Sequence, residues 1–385
     1  MGRPLLHSRK LQPRGSELRL GMRRLLHPLI VLTVVTATSG CALPLARQVA
    51  PPSYANPVLD LDFPDPATLV AADGFTYVYA TQGSGADGRM HNLRVARSRN
   101  LTEWTLLGDA LPQKAGWASK TQDYWAPHVI AADGRYFLYY SAKPDAALTD
   151  EKRGLCLAVA TADGPEGPFV DSGKPLQCGP GFVNIDPMAF DDPATGKRLL
   201  YWGSGFGPIK VQELAPDRIS FAPGSAPIDL VSTIKTEDPA NYQRLVEGAW
   251  VIPRAGYYYL FFSGDNCCGP KAHYAVMVAR SRRATGPFET LAAATGAPNS
   301  VIFEANAKWI APGHNGIVTD ARGDDWMIYH AVDSQRPRAK PSDEVNTRRI
   351  MLIDRIEWVD GWPRVAGASP SSGARPAPGP GAARR

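Results

Sequence analysis

Three carboxylates open segments of one recurring kind. Asp65, Asp186 and Glu247 each stand just ahead of a short apolar run, a turn with a glycine and a β-rich aromatic run. The clearest copy begins Val246-Glu247-Gly248-Ala249-Trp250, turns at Gly256 and continues through Tyr257-Tyr258-Tyr259-Leu260-Phe261-Phe262-Ser263. Trp125 and His314 open two further copies of the phrase. Two carboxylates across a pocket are the least that cleavage of a glycosidic bond requires. One, protonated, gives its proton to the leaving oxygen; the other activates water on the opposite face. A third carboxylate raises the acid's pKa and helps to orient it. Such a set is costly, because desolvated like charges repel, so a chain that carries it is expected to use it.

The elements that must bring these residues together are repeats. Gly74, Gly134, Gly196, Gly256 and Gly323 mark turns spaced about 60 residues apart, the signature of a repeat architecture. Each repeat continues into a second pair of strands: 93–97 and 104–107, 156–161 and 169–171, 209–214 and 219–221, 274–280 and 288–291, 350–353 and 356–358. Four antiparallel strands in each of five repeats predict an all-β, five-bladed β-propeller. In a propeller the first strand of each blade lines the central channel. Asp65, Trp125, Asp186, Glu247 and His314 should therefore converge at one end of the axis. Loops between second and third strands, at 82–92, 143–153, 204–208, 264–273 and 332–347, should return to that end. The last carries Arg336, Arg338 and Lys340 and reads as a solvated loop.

Charge and composition narrow the partners. Removing +6 in residues 1–40 and +3 in the tail from Ala366 leaves −4 of the net +5 for the rest. A mildly acidic fold argues against a nucleic-acid partner. Residues 1–40 read as an export signal, with Met22-Arg23-Arg24 ahead of a short apolar core; Met22 is a candidate initiator. Thr38-Ser39-Gly40-Cys41 resembles a bacterial lipoprotein cleavage box, which would attach lipid to Cys41 and tether the protein to a membrane. The expected layout is a signal peptide at 1–40, a tether at 41–55, the propeller at 56–365 and a disordered Pro/Gly/Ala-rich tail at 366–385. The protein is expected to be a monomer, lipid-anchored on the outer face of a bacterial membrane or secreted. Export permits disulfides. Cys156 and Cys178 could bridge; Cys267 and Cys268, being adjacent, form a vicinal disulfide or stay reduced.

Five motifs in order resemble glycoside hydrolase family 43: Asp62-Phe63-Pro64-Asp65-Pro66, Trp125-Ala126-Pro127, Asn184-Ile185-Asp186-Pro187, Val246-Glu247-Gly248 and Pro312-Gly313-His314-Asn315. The resemblance spans residues 56–365. It implies an inverting hydrolase acting on α-L-arabinofuranosides or β-D-xylosides, with Asp65 as general base, Asp186 as pKa modulator and Glu247 as general acid. It implies that Trp125 stacks on the sugar, whose apolar face favours an aromatic partner. It also implies a possible calcium ion or water cluster near His314, with no cofactor required for the chemistry. Calcium prefers oxygen ligands, so a lone His means a mostly hydrated ion.

Other assignments are weaker readings of single residues. Asp62 is the alternative base but fits a strand entry better. Asn184 is a candidate substrate contact or a turn cap. Strand alternation allows only one of Arg348 and Arg349 to face inward, and Arg348 is the expected one. Trp250 is expected to narrow the leaving-group side. It and His128 depart from the family pattern and bear on substrate. The sequence thus reads as an arabinan-active hydrolase, endo-1,5-α-L-arabinanase or exo-arabinofuranosidase. The rivals are a β-D-xylosidase and a non-catalytic glycan-binding propeller lipoprotein. A retaining, fructan-active propeller fits less well, since Glu247 is followed by Gly and not by Cys.

Overall fold

Five antiparallel sheets, each built on four consecutive blade strands, follow one another in the computed structural model, which describes residues 52–383 apart from 86, 146–153, 339, 341 and 343–345. Blade I holds Ala67–Val70, Thr76–Ala80, Arg94–Ser98 and Thr105–Asp109. Blade II holds Tyr124–Ala132, Arg135–Ala142, Cys156–Ala162 and Val170–Asp171. Blade III holds Met188–Asp191, Arg198–Trp202, Ile209–Glu213 and Ile228–Val231. Blade IV holds Val246–Arg254, Tyr257–Asn266, His273–Ser281 and Glu289–Thr290. Blade V holds Trp309–Asp320, Asp325–Asp333, Arg349–Val359 and Trp362–Val365. The first strands of all five blades line an axial channel of about 500 Å³. This is the predicted five-bladed β-propeller.

The hairpin turns follow their chemistry. Asp133-Gly134 and Ala255-Gly256 both take positive φ and join strands that pair at Ala132–Arg135 and Arg254–Tyr257. Two consecutive left-handed residues match the right-handed twist of the strands they connect. Asp360-Gly361 is a third such turn, with Val359 paired to Trp362. This corrects the expected outer strand of blade V: 356–358 belongs to one long third strand, and the outer strand follows the turn. In blade III the expected strand at 219–221 makes only an isolated bridge, Leu214 to Phe221, and the outer strand lies at Ile228–Val231.

The ring closes by exchanging ends. The segment Leu59–Asp62 precedes blade I but pairs with the third strand of blade V, Leu59 opposite Met351 and Asp62 opposite Ile350. Phe63 N donates to Arg349 O at 2.7 Å, and Arg349 N donates to Asp62 Oδ1 at 2.8 Å. Asp62 is therefore a strand-entry residue that seats Arg349.

The tail departs from the expected disorder. Arg375–Pro376 pairs with Ser53–Tyr54, and Ala382–Ala383 pairs with the end of blade V's inner strand. Gly379 N donates to the buried Asp320 Oδ2 at 2.6 Å, and Gly381 N donates to Arg99 O at 3.0 Å. Composition missed this because proline and glycine, poor for continuous strands, suit short segments docked by single backbone bonds. Tyr54, placed in the expected tether, is buried and donates to Ile353 O at 3.0 Å.

Cys156 and Cys178 form a disulfide 22 residues apart, on paired strands of blade II. A loop of that length is worth about 3 kcal/mol by chain entropy. The expected signal peptide at 1–40, Cys41 and most of the expected tether lie outside the described residues. Among those described, no helix is long and apolar enough to cross a membrane.

Candidate active site

Each inner strand enters the channel through a left-handed residue. Asp65, Ala126, Asp186, Gly248 and His314 have φ of 58°, 46°, 61°, 63° and 48°. Only Gly adopts this region without cost; Asp tolerates it, and a bulkier residue there signals a constrained site. The kinks re-aim the side chains at the strand mouths, and the pairing registers slip beside them in blades II, IV and V. As a result Asp65, Trp125, Asp186, Glu247 and His314 all line one cavity of about 520 Å³, as the repeat predicted.

Asp65 is held as an anion. Its Oδ1 accepts from Arg349 Nη1 at 2.8 Å and its Oδ2 from Thr81 Oγ1 at 2.5 Å. Burial pushes its pKa up, but Arg349 and the Thr81 hydroxyl outweigh this and hold it well below the usual carboxylate range. Asp65 N donates to His330 Nδ1 at 3.1 Å, which puts the proton of that buried imidazole on Nε2.

Glu247 and Asp186 are pushed the other way. Burial raises the pKa of Glu247, with repulsion from Asp65 adding to it. Hydrogen bonds from Ser204 Oγ at 2.6 Å and Tyr274 Oη at 2.7 Å pull it partly back. Burial, then repulsion from Glu247 and Asp65, raises Asp186 well above its ordinary value. Its Oδ2 accepts from Gly248 N at 3.0 Å, which fixes it to the backbone next to Glu247. His314 Nδ1 lies 3.5 Å from Asp65 Oδ1 and 3.8 Å from Asp186 Oδ2. One cavity thus holds an ionised carboxylate and two carboxyls biased towards the acid form. Groups whose environments push their pKa values apart suit paired base and acid roles.

Trp125 stacks on Phe182 with ring centres 5.9 Å apart and planes at 17°. Phe182 and Phe206 are exposed at the rim of the cavity, by 51% and 73%. These apolar walls with a few converging polar groups make a typical small-ligand site.

Three expected contacts fall elsewhere. Arg349, not Arg348, reaches the cavity; Arg348 precedes the strand and donates to Asp60 O at 2.6 Å. The strand pairing of Val332 with Arg349 sets which of the two faces inward. Trp250 lies deeper in the channel, edge-on to His128 with ring centres 5.2 Å apart. Three residues past Glu247 at about 3.3 Å each carry it roughly 10 Å down the axis. Asn184 is buried against Gly179 and does not line the cavity.

Several functional residues were missed. Thr81, Ser204, Tyr274, His330 and Arg349 come from second and third strands or the loops after them, and the repeat phrase points only to first strands. A signal for some was present: Thr81, Ser141, Ser204 and Ser263 all stand within a few residues of the end of a second strand. Thr81 Oγ1 also accepts from Ala126 N at 2.8 Å, and Ser263 Oγ accepts from His314 N at 2.8 Å, so these hydroxyls join neighbouring blades.

The model of glycosyl hydrolases family 43 matches residues 54–363. The chain belongs to this glycosyl hydrolase family. It is a glycosidase. A probable arabinan endo-1,5-alpha-L-arabinosidase A of Aspergillus flavus is 27% identical over 343 residues, covering 85% of this chain and 99% of that protein. A putative beta-xylosidase of Escherichia coli K12 is 28% identical over 336 residues, covering 81% of this chain and 56% of that protein. A thermostable family-43 glycoside hydrolase of known structure superposes with a TM-score of 0.66 at 26% identity, covering 84% of this chain and 99% of the other.

Among the described residues no three His, Cys, Asp or Glu side chains gather to cage a metal. The carboxamide of Asn315 is buried beside His314 with neither polar atom bonded to the protein. One carboxamide and one imidazole fit a hydrated ion only, since calcium takes six to eight oxygens.

Proposed function

We propose that the protein is an inverting hydrolase of α-L-arabinofuranosyl linkages in arabinan or another arabinose-containing polysaccharide. The observation that carries this is the convergence of Asp65 and Glu247 on one cavity, where Arg349 pulls the pKa of the first down and burial pushes that of the second up. Asp65, kept ionised by Arg349, is the general base that draws a proton from the attacking water. Glu247, raised by burial, is the general acid that protonates the leaving oxygen. Asp186 is the modulator: bonded to Gly248 N it stands next to Glu247, and the repulsion between the two carboxyls disfavours a second charge beside the acid. Trp125 offers its face to the sugar. The similarity to the Aspergillus arabinosidase supports arabinan as the substrate.

A hydrated calcium ion held by His314 and Asn315 belongs to this reading; it would add positive charge to the axis. So does attachment to a bacterial membrane through lipid on Cys41, which the Thr-Ser-Gly-Cys box supports. The protein acts as a monomer in this reading. A second reading, β-D-xylosidase, is favoured by the similarity to the Escherichia coli protein.

The test is sugar release from linear α-1,5-arabinan by the protein from Ala42 onward, with products resolved by chain length. Arabinose alone means exo action and a ladder of oligomers means endo action; either supports the proposal. Glu247→Gln should abolish release while retaining binding. Release of xylose alone from matched arabinosides and xylosides would replace the first reading with the second.

A further inference from the structure

Cys267 and Cys268 are joined by a disulfide and both line the cavity that holds Glu247. A disulfide between neighbours encloses almost no chain, so it has little unfolded-state entropy to remove. Its contribution must be local. The loop that carries it is already fastened at both ends. Arg244 Nη2 donates to Asp265 Oδ1 at 2.8 Å, and Asn266 Nδ2 donates to Lys271 O at 2.8 Å. Gly269 N donates to Thr347 Oγ1 at 3.3 Å, tying the loop to blade V. A bonded pair of sulfurs on so fixed a loop presents a rigid, polarisable, apolar surface with no thiol to ionise.

The direction of that surface follows from the chain. Glu247 pairs with Ser263 on the strand that runs on through Asp265 and Asn266 into Cys267. On the other flank Ser204 bonds to Glu247, and two residues later Phe206 stands 73% exposed with φ 67°. A bulky residue held left-handed and exposed is an outlier that points to a functional constraint. Both features are tethered to the residue assigned as general acid, and the acid stands over the bond to the leaving group.

We propose that the Cys267–Cys268 disulfide and Phe206 form the two apolar walls of the leaving-group subsite and select a sugar as leaving group. The proposal rests on the reading of Glu247 as acid. A sugar ring packs its apolar faces against both walls; a smaller leaving group reaches neither.

The experiment compares arabinotriose with methyl α-L-arabinofuranoside, whose leaving groups both need a proton but differ in size. The ratio of their kcat/KM values is measured for the wild type, for Cys267→Ser with Cys268→Ser, and for Phe206→Ala. The ratio should fall about three- to tenfold in each variant, through a raised KM for arabinotriose. Phe206 is exposed, so its variant reports even where the loop variant fails to fold. An unchanged ratio in Phe206→Ala, or in a folded disulfide variant, overturns the proposal while leaving the glycosidase reading intact. A wild type that cleaves neither substrate, or a Glu247→Gln protein that cleaves both at the wild-type rate, overturns the underlying reading and the proposal with it.

Discussion

Arg349 Nη1 donates to Asp65 Oδ1 at 2.8 Å across the seam where the two ends of the chain close the ring. The contact joins the third strand of blade V to the mouth of blade I. It makes ring closure a condition for holding Asp65 ionised. Without Arg349, burial and the nearby carboxyls would raise the pKa of Asp65. The base must be ionised to act, so its pKa sets the acid limb of the kcat/KM profile. In Arg349→Met that limb should move up by about one to three pH units. A limb that does not move would remove Asp65 from the role of base.

The alkaline limb belongs to Glu247, which must be protonated to act. The Tyr274 and Ser204 hydroxyls donate to its ionised form and so lower its pKa. Tyr274→Phe removes one of these bonds, so the pKa rises and the alkaline limb moves to higher pH. A pH series on that variant checks the sign. Movement towards lower pH would contradict the assignment.

Asp186 trades stability for function. Its folded pKa is raised, so ionising it in the fold carries a penalty absent below its unfolded value and growing as the pH rises above it. Asp186→Asn keeps an oxygen for Gly248 N and removes the charge. The variant should lose most of its activity and melt at a higher temperature than the wild type. The gain in Tm should be larger at pH 8 than at pH 4.

The docked tail is a latch. Truncation after Gly373 removes the pairing with Ser53–Tyr54 and the bond to Asp320, leaving that buried carboxylate with one donor fewer. The cost should be about 1–3 kcal/mol, read as a lower denaturation midpoint. An unchanged midpoint would mean the tail is dispensable.

The architecture and the five channel-mouth residues were legible because each blade repeats one phrase, and a repeat puts equivalent residues in equivalent places. What was not legible depends on register. Arg348 and Arg349 differ only in which one the closing strand seats, and that choice is made by Val332, paired with Arg349, together with Asp62, nearly 290 residues away. Trp250 follows Glu247 closely in sequence, but a strand moves down its axis as it alternates. Ser204, Tyr274 and Glu247 meet from three different strands or loops, a relation that no local pattern carries. Asp360-Gly361 is a strong hairpin signal, and it outweighs the apolar run before it in setting where the outer strand of blade V begins.

In an inverting hydrolase Asp65 activates water and does not attack the sugar itself. Proton NMR of the first anomer released from an α-L-arabinofuranoside, followed before mutarotation, distinguishes the two. The β anomer should appear first, as the product of a single displacement. Initial appearance of the α anomer would mean a covalent intermediate and would contradict the role given to Asp65.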